Sequence, residues 1–331
     1  MIKKVFTWDL ILLLLFILFA PFVMGKLYFF DTINIIGIYV LSVIGLNLIL
    51  GVTGLISMGH AAFFGLGAYF SAYISIHFEM NTFLSIFISC LLVALIVFVL
   101  SFPLLRLSGY FLALGTLGIG VIVHTLLNGG GSLTGGPNGI TGIPGFSIGT
   151  FTFSSTTDHF YLIWLTVLVV YILAKNIINS REGRALKAIH SDEEAATSFG
   201  VNIFKSKMKI FILGSTLSAL AGAYYAHYMF FISPEIASLN SSIDMITMGF
   251  LGGLGSYLGP VFGASVFQVI PQLSANAQEY QTLIEGVILL LIIIFFTGGI
   301  QSVINKVISV FKHKRSATAV KEVQILNKEG M

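Results

Sequence analysis

Asn47, His60, His124, His227 and Glu285 stand within or beside long apolar runs. Imidazole, amide and carboxylate groups at membrane depth are costly to keep from water, so they mark ion paths and proton relays. Each also serves as an interhelical hydrogen-bonder, which is the plainer reading. A second set lies in HSDEEAATSFG (190–200), inside a cluster where ten of the 29 residues from Arg181 to Lys209 are charged, against 9% of the whole chain. Ser191 and Glu194 have capping-box spacing, in which each side chain answers the other's backbone amide. Asp192 and Glu193 fill a first turn where the helix dipole favours negative charge. Gly200 suits the left-handed residue that ends a helix. The stretch therefore predicts a two-turn helix over 192–199, with Ala195, Ala196 and Phe199 as an apolar stripe. Such a helix either packs on the ends of its own spans or docks on a partner.

Other chemistries find no support in the residues. The lone Cys90 sits in an apolar run and pairs with nothing inside the chain. No metal-ligand spacing and no nucleophile–base pair occurs, and a net charge of +3 gives no sign of nucleic-acid binding. The glycine-rich segment 129–149 lacks the Lys-Ser/Thr of a phosphate loop, and Gly25-Lys26 is followed by Leu. ATP chemistry is not expected on this chain, and neither is a cofactor.

The elements that must position these residues are membrane spans. The chain is 56% hydrophobic, above the roughly 45–50% of a soluble domain. Thr32 to Ala174 holds three charges, Glu79, Arg106 and Asp158. Apolar runs are continuous and do not alternate, which excludes a β-barrel and gives an all-α polytopic membrane protein. Spans are expected at 8–24, 33–51, 60–78, 83–102, 109–127, 160–178, 210–231 and 282–305. The first is read as uncleaved, since no small-x-small site follows it.

The block 242–272 is too long for one span and too short for two of about 20 residues. Gly252-Gly253-Leu254-Gly255-Ser256 and Gly259-Pro260 interrupt it, so a broken or re-entrant pair of half-helices is expected there. With both termini in the cytoplasm, 16 of 17 Lys and Arg fall inside and Lys26 alone falls outside, provided 242–272 enters and leaves on one side. Eight crossings plus a hairpin and ten crossings with two short ones fit equally. The domain layout follows: a membrane domain over 1–312 with a cytoplasmic loop at 180–209, an extracytoplasmic loop at 128–159, and a polar cytoplasmic tail at 313–331.

Glycines interrupt a second element, 51–72, at Gly51, Gly54, Gly59, Gly65 and Gly67. Gly65-Leu66-Gly67-Ala68-Tyr69 is echoed by Gly253-Leu254-Gly255-Ser256-Tyr257. Interrupted helices in corresponding halves point to a substrate pathway, here through Asn47, Gly54, His60, Gly65, Gly67, Gly253 and Gly255. Close packing through small residues is the alternative.

GRALKAIHSDEEAATSFGVN resembles the cytoplasmic EAA loop of ABC-importer permeases, with Glu194, Ala195, Ala196 and Gly200 on the pattern and Arg184 as the preceding basic residue. GLNLILGVTGLISMGHAAFFGLGAYFSA (45–72), SLTGGPNGITGIPG (132–145) and FLGGLGSYLGPVFGA (250–264) resemble the LivM-like branched-chain amino-acid permeases, and the similarity runs over about 30–305. The resemblance implies a multi-pass subunit of a bacterial or archaeal plasma membrane. It implies a second homologous permease, two ATPase subunits that carry ATP and Mg, and an extracytoplasmic binding protein for a hydrophobic amino acid. It makes 191–200 a coupling helix. Two other readings stay open: the same architecture serving urea or short amides, and a proton-coupled secondary transporter using His60, His227 or Glu285.

Overall fold

The computed structural model describes residues 8–23, 27–148 and 151–273, with positions 283, 286, 287 and 290. The predicted span 282–305, Glu285 and the tail 313–331 fall outside this description, the four single positions apart. The described chain is mostly helical. The order is α1 (Trp8–Val23), α2 (Leu27–Leu46) continuing as a π-helical segment (Asn47–Val52), α3 (His60–His77), α4 (Thr82–Leu104) and α5 (Tyr110–Gly129). Then follow α6 (Thr156–Asn179), α7 (Arg181–Ser191), α8 (Glu193–Ser198), α9 (Ile203–Met229), α10 (Leu239–Gly252) and α11 (Gly259–Leu273). Phe30–Val52, α4, α5 and α6 are long and apolar enough to cross a membrane.

Exposure follows what a bilayer requires. On α4, Leu84, Phe87, Leu91, Leu95, Phe98 and Phe102 form one outward stripe at helical spacing. On α6, Tyr161, Leu165, Val169 and Leu173 do the same. Water-facing surfaces rarely carry apolar stripes of this length.

The centre of the bundle is built differently. α3 and α9 are richer in small and polar residues, and neither ranks among the candidate spans on composition. They are nevertheless the most closely packed pair. A Cβ at Gly67 would collide with the Ala219 carbonyl, and one at Gly222 with the Phe64 carbonyl. Small residues let the two backbones touch, so apolar bulk is replaced by contact. α2 and α6 pack beside them, and Trp164 on α6 donates to the Ile33 carbonyl at 3.3 Å.

α10 and α11 have 14 and 15 residues, or roughly 21–22 Å each at 1.5 Å per residue. Neither spans a hydrocarbon core of ~30 Å. Gly252 packs on Gly259 and Gly263 on the Met248 carbonyl, so the two run antiparallel about a break at residues 253–258. This is the expected interrupted pair, beginning three residues earlier than 242. The hairpin returns to the end of the bundle from which it departs.

At that end lies the segment 130–155. Two short strands pin it to the bundle: Ile140–Thr141 pairs antiparallel with Phe231–Ile232 just past α9, and Ser147–Ile148 pairs with Phe151–Thr152. α7 and α8 occupy the opposite end, between α6 and α9.

Candidate functional site: the broken-helix junction and its end loop

The two glycine-interrupted elements meet. Asn47 opens the π-helical segment and is buried. Its Oδ1 accepts from the Gly255 amide at 2.7 Å, and its Nδ2 donates to the Ser256 carbonyl at 2.8 Å. A broken helix frees backbone groups that membrane burial cannot leave unpaired. One amide side chain here satisfies a freed N–H and a freed C=O together. Gly51 lies against Gly255, and a Cβ on Gly51 would strike the Asn47 Oδ1 and the Gly255 nitrogen. Gly255 itself has φ +75°, a region that only glycine enters freely.

The π segment is a wide turn: the Leu55 amide reaches the Ile49 carbonyl at 3.2 Å, and the Thr53 hydroxyl donates to the same carbonyl. Such bulges recur at functional positions in helices. The chain then runs irregularly to His60. Its freed donors are met from two helices and from the segment itself: Met58 N–H by Thr116 Oγ1 on α5 at 3.0 Å, Ala61 N–H by Ser242 Oγ on α10 at 3.1 Å, and Ala62 N–H by the Gly59 carbonyl.

α7 closes on this junction. Gly183, Leu186 and Ile189 form its buried stripe, and Ser180 caps it by accepting from Gly183 N–H at 3.1 Å. Near its far end, the His190 ring lies on Gly54, where a Cβ would stand 3.0 Å from His190 Cδ2. Arg184 projects outward on the exposed face.

α8 is shorter than expected, and its cap is a different residue. Ser191 is the last residue of α7, with its hydroxyl donating back to the Lys187 carbonyl at 3.1 Å. Asp192 takes the cap, Oδ1 accepting from Ala195 N–H at 3.0 Å. The predicted Ser191–Glu194 capping box is therefore absent. α7 continues through Ser191, which leaves that backbone helical, while Asp192 is extended at φ −162° and adds a charge the helix dipole favours. A complete capping box does occur at the start of α6, between Ser155 and Asp158.

The C-terminal end of α8 matches the expectation. Gly200 has φ +79°, its N–H donates to the Thr197 carbonyl at 2.8 Å, and Val201 N–H donates to the Ala196 carbonyl at 3.1 Å, the paired bonds of a Schellman motif. The predicted single apolar stripe divides in two. Ala196 is 1% exposed and faces the bundle, whereas Ala195 faces out beside Phe199, which is 88% exposed. Ion pairs hold the loop to α9: Glu193 Oε1 to Lys207 Nζ and Glu182 Oε1 to Lys209 Nζ, both 2.6 Å. Glu194 has no ion-pair partner among the described residues.

The remaining predicted residues separate from the junction. His60 is fully buried and bonds through Nε2 to the Ser42 carbonyl at 3.1 Å, while Ser42 and Ser218 hydroxyls meet at 2.9 Å. His227 bridges Ser71 Oγ at 2.8 Å and the Pro144 carbonyl at 2.7 Å. His124 approaches Glu235 at 3.7 Å and Asn128 at 3.2 Å. The interhelical reading thus describes His60 and His227, whereas the hydrogen bonds of His124 stay within α5. Gly65 packs on Ala237 and Gly67 on Ala219, both inside α3. Gly253, φ +97°, ends α10. The sequence echo consequently joins unlike structures, a helix interior at 65–69 and a break at 253–257.

Two residues escaped sequence reasoning. Lys175, buried on α6, lies 5.7 Å from the Tyr171 ring centroid and 5.5 Å from that of Tyr257. Tyr257, within the break, donates to Asn179 Oδ1 at 3.0 Å. The available signal was Lys175 lying four residues after Tyr171, on the same face of the helix.

Fold and site together define a multi-pass helical membrane protein in which two interrupted helices meet a capped loop helix pair at one end. A family model described as branched-chain amino acid transport system / permease component matches residues 28–297, and the chain belongs to that family. It is 30% identical over 293 residues to the high-affinity branched-chain amino acid transport system permease protein LivM of Escherichia coli K12, covering 82% of this chain and 69% of the relative. The corresponding LivH protein of Salmonella typhimurium is 29% identical over 150 residues, 44% of this chain and 48% of the relative. A probable LivM of Methanocaldococcus jannaschii is 27% identical over 114 residues, 33% of this chain and 32% of the relative. No solved structure gives a significant match.

Proposed function

We propose that this chain is the LivM-type permease subunit of an ATP-driven importer of leucine, isoleucine and valine. The carrying observation is Phe199, 88% exposed on a helix fixed by a charged cap, a Schellman turn and an ion pair to α9. An aromatic side chain presented on a preorganised mount loses little freedom on binding, which suits a docking anchor. The partner is an ATPase subunit, and a pair of them supplies the ATP and Mg chemistry. A second permease of the LivH type and an extracytoplasmic binding protein complete the assembly. The relatives' names support this reading, as does membership of their family.

In this arrangement the α7–α8 end faces the cytoplasm, and the 130–155 segment faces outward. Both termini are cytoplasmic. Movement of α8 by the ATPase passes through α7 to His190 and Gly54, then through the π segment to Asn47 and the break at Gly255. Arg184, Glu194, Ala195 and Gly200 form or shape the docking face, and Ala196 anchors it.

The test is reconstitution with the neighbouring subunits in proteoliposomes. ATP-dependent leucine uptake that excess valine blocks and urea leaves untouched is the expected result. Blockage by urea alone would make the substrate a short amide. Uptake that persists without ATP under a proton gradient would make it a secondary transporter.

A further inference from the structure

A cavity of about 770 Å3 opens at the end of the bundle opposite α8. Asp31 on α2, His159 in the first turn of α6 and Tyr228 at the end of α9 line it beside the hydroxyls of Ser147, Thr152, Ser154 and Thr156, and Phe146, Phe153 and Phe230 stand among its apolar walls. The hydrogen bonding fixes what those polar groups offer. Tyr228 hydroxyl accepts from Asn34 Nδ2 at 3.2 Å and donates to Asp31 Oδ1 at 2.8 Å, so its own proton is committed. His159 Nδ1 lies 3.0 Å from the Ser155 carbonyl. A carbonyl only accepts, so Nδ1 carries a proton, and in the neutral ring Nε2 is the acceptor. That Nε2 is buried without a partner on a side chain 6% exposed.

The lining therefore offers one carboxylate, Asp31, and the hydroxyl groups of Ser147, Thr152, Ser154 and Thr156, with aromatic faces beside them. The His159 ring is 5.5 Å from the Tyr228 ring and 5.7 Å from Phe146. Asp31 is the sole Asp, Glu, Lys or Arg of the lining among the described residues. Phe230, at the rim, holds φ +59°, a conformation that bulky residues adopt only when their surroundings impose it and that gathers at binding sites. Acceptors with π faces select a multi-donor cation, and the walls select an apolar body.

We propose that this cavity binds a primary ammonium group carried on an apolar body, namely the amino end of a hydrophobic amino acid entering the permease. The assignment rests on the transport function proposed above and adds the place and the group by which the substrate is first held. An ethanolamine lipid headgroup offers the same ammonium from another source.

The test uses the full chain with Cys90→Ala and Ser154→Cys, placing one thiol on the exposed rim. It is held in nanodiscs of phosphatidylcholine and phosphatidylglycerol, and the rate of maleimide labelling is measured. 3-Methylbutylamine and L-leucine are expected to slow labelling, and 4-methylpentanoate, which lacks the amine, is expected to leave it unchanged. D31N should raise the amine concentration needed at least tenfold, and D31E should restore it. Equal protection by 4-methylpentanoate overturns the proposal, as does unaltered protection in a folded D31N chain. The ligand series on the unsubstituted Asp31 background needs no variant at the site. Slow labelling in phosphatidylethanolamine discs that leucine does not slow further would assign the site to lipid and overturn the amino-acid source. Because protection requires no transport, Asp31-dependent protection by the amine would survive even if the reconstituted transporter carried no leucine.

Discussion

Asn47 and Gly255 are 208 residues apart in sequence and joined by a 2.7 Å hydrogen bond, with the second half of the Asn47 amide returned to Ser256. The π-helical segment of α2 and the break of the α10–α11 pair are thereby one mechanical unit. At its other end, the same segment reaches His190 through Gly54.

N47A removes both bonds and strands the Gly255 N–H and Ser256 C=O, at a cost of about 1–3 kcal/mol. N47D retains an acceptor for Gly255 and places it against the Ser256 carbonyl, so it should be no better than N47A. Leucine taken up per ATP hydrolysed in proteoliposomes is expected to fall in both variants, while ATPase assembly, measured by co-purification, remains. Unchanged coupling in folded N47A would remove Asn47 from the transmission path.

Phe199 and Ala196 should separate docking from folding. F199D alters a side chain that touches little, so thermal stability should move by less than about 0.5 kcal/mol while ATPase co-purification is lost. A196D buries a charge against the bundle and should destabilise the chain itself. The check is a thermal melt of each purified subunit alongside the pull-down.

Gly200 has open space where a Cβ would go, so G200A tests conformation alone. A left-handed alanine costs roughly 1–2 kcal/mol. α8 should fray, and amide exchange at 196–201 should accelerate by roughly 5–30-fold.

The two ion pairs differ in burial. Lys207 is 9% exposed, whereas both members of the Lys209–Glu182 pair are largely solvated. K209A should change α7 protection little, as solvated pairs contribute ~0–1 kcal/mol. K207A leaves Glu193 without its partner and should release α8, read as faster amide exchange there.

G67A forces a methyl group into the Ala219 backbone, where a compact neighbour cannot yield. Overpacking of this kind costs about 1–3 kcal/mol, and α3 and α9 should separate. A lower melting temperature, with ATPase docking intact in the folded fraction, is the expected result.

Much of this architecture was legible in the residues. Continuous apolar runs specify spans, because a bilayer leaves backbone groups no other way to pair. α4, α5 and α6 fell within a few residues of the expected limits. The interruption at 252–260 was legible because glycine and proline break helices whatever surrounds them. Gly200 was legible for a similar local reason. The Ser191 cap was misassigned because capping depends on where the preceding helix stops. α7 runs through Ser191, whose backbone is therefore helical, and Asp192 takes the role.

What the sequence determined by itself is therefore the local and the solvent-driven: which segments are apolar enough to enter a membrane, where the backbone cannot continue as helix, and where charge requires water. What only the tertiary structure decided is partnership. Asn47 could bond to anything within reach of α2, and it finds Gly255 because α10 and α11 fold back antiparallel beside it. The small residues of α3 and α9 have no distinctive local signature, yet they set the centre of the bundle because their backbones can touch. The His159 Nε2 is left without a partner among the described residues because Ser155 takes the other nitrogen and the assembled helices close over it. Helix and span formation depend on short-range periodicity and transfer from water, which a single chain segment expresses alone. Hydrogen-bond pairing and close packing depend on atoms hundreds of residues away, and those atoms arrive only when the helices have assembled.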